Sequence, residues 1–435
     1  MLCGIKDGVW FDDQTLQIYR GGNPSVGSGT EPVVRGKGRS APSVHDENWK
    51  PTLIFLASTA CNLKCRYCYA HEGTYGIHSG KRFFGPEDFI EVYEKLRDLY
   101  GGIRAVSFFG GEPLLNYRAI RKFMDYLYEK EDPDRLPTFG INTNGTILNP
   151  EILDLVRTYH PILGTSIDGT REVHDRNRIG DGIRSTYELT RRNLDVFAGC
   201  GAKIFVQYTF TRQHLESYKP GAGIRWCREM EELPILSYEL VPVSTSDPEY
   251  QIDMRDPVMR GKYENFCTEI ADYYLEKLKS GDVERVPRMF IGLFTRLLLR
   301  MEQRECSAGY SMSVTPDRIV YPCHTFTEYR EYGIPLADIH TRDDLDRNPH
   351  FIRVREANRD RNETCRRCFA YKICGFWCKG LQHSVNGSLT EELEERCVMM
   401  RIMAGRCISF IAEEYGRYRT EVNRSIVRYN KTHAA

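Results

Sequence analysis

The chain has 435 residues, a length that suggests about three units of ~150 residues, and its 60 basic residues balance 60 acidic ones. With no net charge there is no long-range field to recruit nucleic acid or an anionic membrane, so partners must be read from sites. No apolar run approaches the ~18 residues of a membrane span, and the N-terminus lacks the charged-then-apolar pattern of a signal peptide. The fifteen cysteines therefore point to metal ligation in a cytoplasmic protein rather than to disulfides.

Residues 1–50 read as an N-terminal extension, with a strand pair at Val9 to Phe11 and Leu16 to Tyr19. A Gly/Pro/Ser-rich stretch from Gly21 to Ser43 follows, which cannot pack a core. From Thr52 short apolar runs alternate with helical stretches. The runs Leu53 to Leu56, Ala105 to Phe109, Thr138 to Ile141, Ile162 to Ile167, Ile204 to Tyr208 and Tyr238 to Val241 read as parallel strands buried on both faces.

The helices between them carry start signals. Asn149-Pro150 offers an N-cap and a first-turn proline, and Ser185 to Glu188 matches a capping box. A helix over 117–130 puts Ile120, Phe123, Met124 and Leu127 on one sheet-facing side. Six strand-helix units, without length for eight, imply an incomplete α/β barrel. Loops at the C-terminal ends of such strands carry the chemistry.

One of those loops holds Cys61, Cys65 and Cys68 within eight residues. A cubane 4Fe-4S cluster has four irons, so three cysteines leave one iron open to a substrate or cofactor. Zinc would want a fourth protein ligand close by, and His71 is the local candidate. After the next strand, Gly110-Gly111-Glu112-Pro113 combines glycines that let backbone approach a ligand with an acceptor for an ammonium group.

The Cys-x3-Cys-x2-Cys spacing, with Tyr67 before the last cysteine, resembles the radical S-adenosylmethionine (SAM) superfamily. In that family the amino and carboxylate groups of SAM chelate the open iron. The resemblance implies that Cys61, Cys65 and Cys68 hold a 4Fe-4S cluster and that Gly110, Gly111, Glu112 and Pro113 hold the amino group of SAM. It further implies that Ser166 or Asp168 contacts the ribose and that Arg178 meets the carboxylate.

A second cysteine set runs Cys306, Cys323, Cys365, Cys368, Cys374, Cys378 and Cys397. Seven thiols are one short of two closed cubanes, and a zinc ribbon is the alternative use of the paired spacings. This spacing resembles the SPASM domain of radical SAM peptide-modifying enzymes. The resemblance implies one cluster on Cys365, Cys368, Cys374 and Cys397 and an open one on Cys306, Cys323 and Cys378, so three 4Fe-4S clusters in all. The pattern usually has glycine where this chain has Arg318, which predicts a differently shaped turn before Cys323. Cys3, Cys200, Cys227, Cys267 and Cys407 stay outside both sets and read as buried apolar thiols.

The resemblance covers roughly residues 52–410 and implies a partial (β/α)6 radical SAM barrel over 51–250. A helical bridge over 251–304, a SPASM auxiliary-cluster domain over 305–400 and a C-terminal helix over 401–435 follow. The segments after Cys68, around Gly110 and from Cys306 to His324 look most like maturases of ranthipeptides, which join a cysteine sulfur to a non-alpha carbon in a ribosomally made peptide. Partners implied are that precursor peptide and a reductant such as flavodoxin or ferredoxin, with neither nucleic acid nor membrane. Carbon-carbon or carbon-oxygen crosslinking uses the same clusters. So does anaerobic sulfatase maturation, although such enzymes typically have aspartate where this chain has His324. An electron-transfer or scaffold protein would leave Gly110 to Pro113 and Arg178 without a task.

Overall fold

The computed structural model describes residues 1–26, 31–33, 49–77, 80–283, 285–303 and 306–433. Most of the glycine-rich stretch expected to lie outside the core, 27–30 and 34–48, falls outside the described residues. The first twenty residues do pack. Strands β1 (Leu2–Lys6), β2 (Val9–Asp12), β3 (Gln17–Arg20) and β4 (Glu31–Pro32) form one antiparallel sheet in that order. Phe11 pairs with Ile18 in the β2–β3 register, and Val9, Phe11, Leu16 and Ile18 are buried in the main core.

The central sheet has nine strands. Its parallel part comprises β5 (Thr52–Ser58), β7 (Ala105–Gly110), β8 (Thr138–Asn142), β9 (Ile162–Ser166), β11 (Ile204–Phe210) and β12 (Ser237–Pro242). Two short strands, β6 (Leu63–Cys65) and β10 (Arg178–Gly180), form a separate antiparallel ribbon. Beyond β5 the sheet continues through β13 (Met312–Val314), β14 (Ile319–Tyr321) and β15 (Ile334–Pro335). The order is β12-β11-β9-β8-β7-β5-β13-β14-β15, so the sheet stays open. Because β13 runs parallel to β5, with Met312 opposite Leu53, the cysteine-rich C-terminal segment is hydrogen-bonded into the barrel sheet.

Helices form where the sequence signals them. Asn149 caps Pro150–Tyr159 by accepting from the Ile152 N–H at 2.8 Å, and Ser185 caps Thr186–Gly199 by accepting from Glu188. Tyr117–Lys130 buries Ile120, Phe123, Met124 and Leu127 against the sheet. Two helices, Pro257–Ser280 and Arg288–Leu299, precede β13, and Glu394–Glu413 and Tyr415–His433 close the chain. Among the described residues no helix is long and apolar enough to cross a membrane.

The expectation that the parallel strands are buried on both faces needs correction. On β7, Val106 and Phe108 are buried under helices, whereas Ser107 and Phe109 are half-buried. The same alternation leaves Gly140 and Asn142 on β8, and Gly164 and Ser166 on β9, only half-buried. Six parallel strands without barrel closure cover one face with helices and leave the other partly exposed.

The turn between β13 and β14 also differs from expectation. Arg318 has φ of 60°, the left-handed conformation that glycine adopts without steric cost, so the turn keeps a glycine-type backbone despite the side chain. The Arg318 N–H donates to the Thr315 carbonyl at 2.8 Å, and its guanidinium pairs with Glu91 at 2.5 Å.

Candidate functional site

The Cys61 to Cys68 loop follows the C-terminal end of β5 and is held from two sides. On one side β6 pairs with β10, setting Cys65 opposite Arg178, and the Arg66 N–H donates to the Asn177 carbonyl at 2.9 Å. On the other side the Gly111 N–H donates to Ser58 O and the Glu112 N–H to Ala60 O, both at 2.8 Å. A Cβ on Gly111 would lie 2.3 Å from Ala60 O, and one on Gly110 2.1 Å from Ser58 O. The two glycines are therefore needed for this close approach of backbone to backbone.

The three thiols sense one another. Burial pushes Cys61 up to about 11 and Cys65 up to about 12, and each is raised further by Cys68. Around Cys61 Sγ stand the Leu63 N–H at 3.4 Å and the Asn144 Nδ2 at 3.8 Å. Sequence reasoning missed Asn144, which also donates to Asn62 Oδ1 at 2.9 Å. Its only signal in the sequence is its place just beyond the end of β8.

Glu112 is 0 % exposed and accepts from Leu114 N–H at 2.9 Å, Thr143 O–H at 2.8 Å and Asn144 N–H at 2.7 Å. Burial raises its carboxyl to about 7 against the pull of those donors. A carboxylate has about four lone-pair positions, so one acceptor position remains. Pro113 opens the short 3-10 turn Pro113–Asn116, with Glu112 as its cap.

Asp168 is the centre of a second buried cluster. It accepts from the Tyr67 hydroxyl and from Arg178 Nε at 2.9 Å, while the Arg178 guanidinium lies 5.5 Å over the Tyr67 ring. The Asp168 N–H donates to His174 Nδ1 at 3.2 Å, and His214 Nε2 lies 3.1 Å from the Asp168 carbonyl oxygen. Tyr67, Asp168 and Arg178 are thus brought together behind the cysteine loop. Ser166, half-buried at the end of β9, joins none of these hydrogen bonds.

The seven later cysteines are half-buried and unbridged. Their mutual electrostatic influence divides them in two. Burial lifts Cys306 to about 12, with Cys378 and Cys323 adding to it. Burial likewise lifts Cys365 to about 12, with Glu392, Cys374 and Cys368 contributing, and burial raises Cys397, with Cys374 and Cys365 adding to it. Cys323 departs from the rest: burial pushes it up, but the charge and hydrogen bonding of His324 bring it down to about 7. His324 Nδ1 is 3.5 Å from Cys323 Sγ, and the Thr325 hydroxyl donates to that sulfur at 3.4 Å.

His324 also joins the two halves of the molecule. Its ring centroid is 4.7 Å from Phe109 on the open face of β7 and 6.1 Å from Tyr69, the residue after Cys68. A cavity of about 250 Å³ reaches one cysteine of each later group and is lined by Cys306, Cys374, Gln303, Arg359, Trp377 and Lys379, among others.

The N-terminal sheet covers the Cys368 side. Phe11 meets Phe369 edge-on at 6.5 Å, and Lys372 Nζ donates to the Gln14 carbonyl at 3.1 Å. Of the five cysteines outside both sets, Cys227, Cys267 and Cys407 are buried as expected of apolar thiols. Cys3 and Cys200 are only half-buried, because Cys3 sits on the outer strand β1, where it senses Cys368, and Cys200 caps a helix end.

The donor set fits iron-sulfur groups. A single zinc gathers its thiolates at about 2.3 Å from one point. Among the described residues no three His, Cys, Asp or Glu side chains are gathered to hold one ion. A cubane spreads its ligands over separate irons, which suits thiols that share an electrostatic environment without converging.

The fold is an open α/β sheet of mostly parallel strands with the cysteine loop at a strand's C-terminal end, and residues 56–219 match the family model of the Radical SAM superfamily. The cysteine-type anaerobic sulfatase-maturating enzyme of Clostridium novyi is 22% identical over 347 residues, which are 75% of this chain and 87% of that protein. Radical SAM cyclopropyl synthase TigE of Paramaledivibacter caminithermalis is 29% identical over 158 residues, 33% of each. Among solved structures, native anSMEcpe with bound AdoMet gives a TM-score of 0.64 at 22% identity, covering 87% of this chain and 99% of its own. Streptococcus suis SuiB bound to precursor peptide SuiA gives 0.51 at 17%, covering 78% and 74%. These likenesses fix the fold.

Proposed function

We propose that the protein is a radical SAM maturase that forms a thioether between a cysteine sulfur and a non-alpha carbon of an acceptor residue in a ribosomally made peptide. The observation that carries this reading is the division of the cysteines into a loop of three at the barrel mouth and further groups of three and four. Three clusters are thereby implied, with Cys61, Cys65 and Cys68 holding the one that binds SAM. Cys306, Cys323 and Cys378 would hold an open auxiliary cluster, and Cys365, Cys368, Cys374 and Cys397 a closed one. The precursor peptide SuiA bound to the neighbour SuiB supports the substrate class.

When bound, the first cluster and SAM supply a 5'-deoxyadenosyl radical from one external electron, which flavodoxin or ferredoxin would bring in the cytoplasm. The chain's own part is orientation. Gly110 and Gly111 bring backbone against the cysteine loop, and Glu112 has one acceptor position left for the SAM ammonium. Tyr67, Asp168 and Arg178 brace the loop from behind, and Arg178 is the group available to the SAM carboxylate. Ser166, half-buried at the C-terminal end of β9, would stand toward ribose and peptide.

A second reading, oxidation of a sulfatase cysteine, draws on the similarity to the Clostridium enzymes. Co-expression with a cysteine-containing candidate peptide and weighing of the product decide between them. A thioether product is two hydrogens lighter and has lost one alkylatable thiol with no new carbonyl. A new aldehyde on the thiol-bearing residue would favour the second reading.

A further inference from the structure

Arg296 lies on the helix Arg288–Leu299, which packs against the turn Tyr371–Ile373 leading directly into Cys374. Its Nε is shut off from water and has no hydrogen-bond partner. A charged donor buried without an acceptor is expensive, and native structures keep such a group only where something answers it. A neighbouring charge makes matters worse. Arg359 is a like charge, fixed in place because its Nη1 donates to the carbonyls of Tyr371 at 2.6 Å and Cys374 at 2.9 Å. Burial holds Arg296 down at about 10, Cys374 opposes it, and Arg359 adds a smaller push in the direction of burial.

One guanidinium that senses the Cys374 thiol, and a second fixed on the Cys374 carbonyl, make sense if that thiol belongs to an anion. Four thiolates around a cubane supply one, since the assembly carries net negative charge that grows by one on reduction. Resting on the reading that Cys365, Cys368, Cys374 and Cys397 hold a cluster, we propose that Arg296, half-buried with its Nε shut off from water, is the counter-charge of that centre and raises its reduction potential. The orphan Nε is the observation that carries this. Arg359, whose Nη1 bonds the Tyr371 and Cys374 carbonyls, positions Cys374, whereas Arg296 Nε is a donor to spare. It is a positioning residue, acting through the centre rather than on the peptide.

The test uses the anaerobically reconstituted full chain as parent, Arg296→Met and Arg296→Lys, with iron counted and the clusters titrated potentiometrically by EPR. A cation favours the reduced state, so Arg296→Met should move one of the waves to lower potential. At the parent's midpoint its reduced-to-oxidised ratio should fall about tenfold, equal to about 59 mV for one electron. Arg296→Lys, which keeps the charge, should hold the parent's wave at full iron, and should do so even if Arg296→Met loads less iron. Arg296→Met with full iron and every wave unmoved overturns the proposal, as does Arg296→Lys shifting as far as Arg296→Met. A parent chain whose iron is unaffected by Cys365→Ala would instead overturn the cluster reading beneath it, a failure visible before any titration of Arg296.

Discussion

Cys65 and Arg178 stand opposite one another across the β6–β10 ribbon, and the Arg178 side chain returns over Tyr67 to Asp168. A cysteine proposed to bind the cluster is thus tied, through backbone and through a buried ion pair, to the loop after the fourth barrel strand. Arg178 is 7% exposed and Asp168 is fully buried, so the pair has little solvent to fall back on. Removing one partner of such a pair leaves an uncompensated charge and costs about 3–5 kcal/mol. Asp168→Asn and Arg178→Met should each lower the unfolding free energy by that order in urea titrations. The double variant should lose clearly less than the sum, because it strands no charge. Additive losses would mean that the pair is not coupled.

Glu112 gives a pH signature. Its folded carboxyl titrates near 7, above the unfolded value of 4.5, so between those pH values the folded chain holds a proton that the unfolded chain has released. Stability contributed by this group therefore falls as pH rises from about 4.5 to 7, by ~3 kcal/mol in all. Glu112→Gln cannot titrate, and the stability difference between variant and parent should drift in the variant's favour across that window. If Glu112 also receives the SAM ammonium, the charged form binds better, and SAM affinity of the parent should rise with pH through 7 while that of Glu112→Gln stays flat. Parallel pH profiles of the two proteins would remove Glu112 from that role.

Arg318 supplies a gain rather than a loss. A non-glycine residue in the left-handed region costs roughly 1–2 kcal/mol, and the exposed pair with Glu91 returns ~0.2–1 kcal/mol. Arg318→Gly should therefore stabilise the chain by about 1 kcal/mol, read as a higher urea midpoint at unchanged slope. A lower midpoint would mean that the side chain holds the turn by contacts beyond the Glu91 pair.

The iron count tests the division of the thiols. Three cubanes would load about twelve irons per chain. Cys306→Ala and Cys378→Ala should remove the same cluster, and Cys365→Ala and Cys397→Ala a different one. Combining two substitutions within a group should lose no more iron than either alone, and combining across groups should lose two clusters' worth. Iron losses that add within a group would break the assignment.

Much of this was legible in the sequence because it is local. Six apolar runs between Leu53 and Val241 became six parallel strands, and Asn149 and Ser185 cap helices as their side chains suggest. What was not legible is pairing at a distance. Leu63–Cys65 becomes a strand only because Arg178–Gly180 lies beside it, and Met312–Val314 extends the barrel sheet only because Leu53 to Phe55 offers an edge. Asn144 meets Cys61 through two loops brought together by the fold. The half-open inner face escaped for another reason: a short apolar run reads the same whether its second face meets a layer or a hollow.

The proposed open auxiliary iron makes the last prediction. On the proposed reading Cys306, Cys323 and Cys378 would leave one coordination position, and His324, seated against Phe109 and Tyr69, links their neighbourhood to the barrel mouth where hydrogen abstraction would occur. A peptide thiol reaching that iron would be deprotonated by ligation itself, so no separate base is required there. Adding a cysteine-containing peptide should change the spectrum of that cluster alone, and the same peptide with serine at the donor position should not, because thiolate is far the better ligand for iron among sulfurs. Cys306→Ala should abolish the response while leaving SAM cleavage by the first cluster intact. If both peptides, or neither, altered the spectrum, the three-cysteine centre would act as an electron relay, and the bond formed would be sought at carbon or oxygen rather than at sulfur.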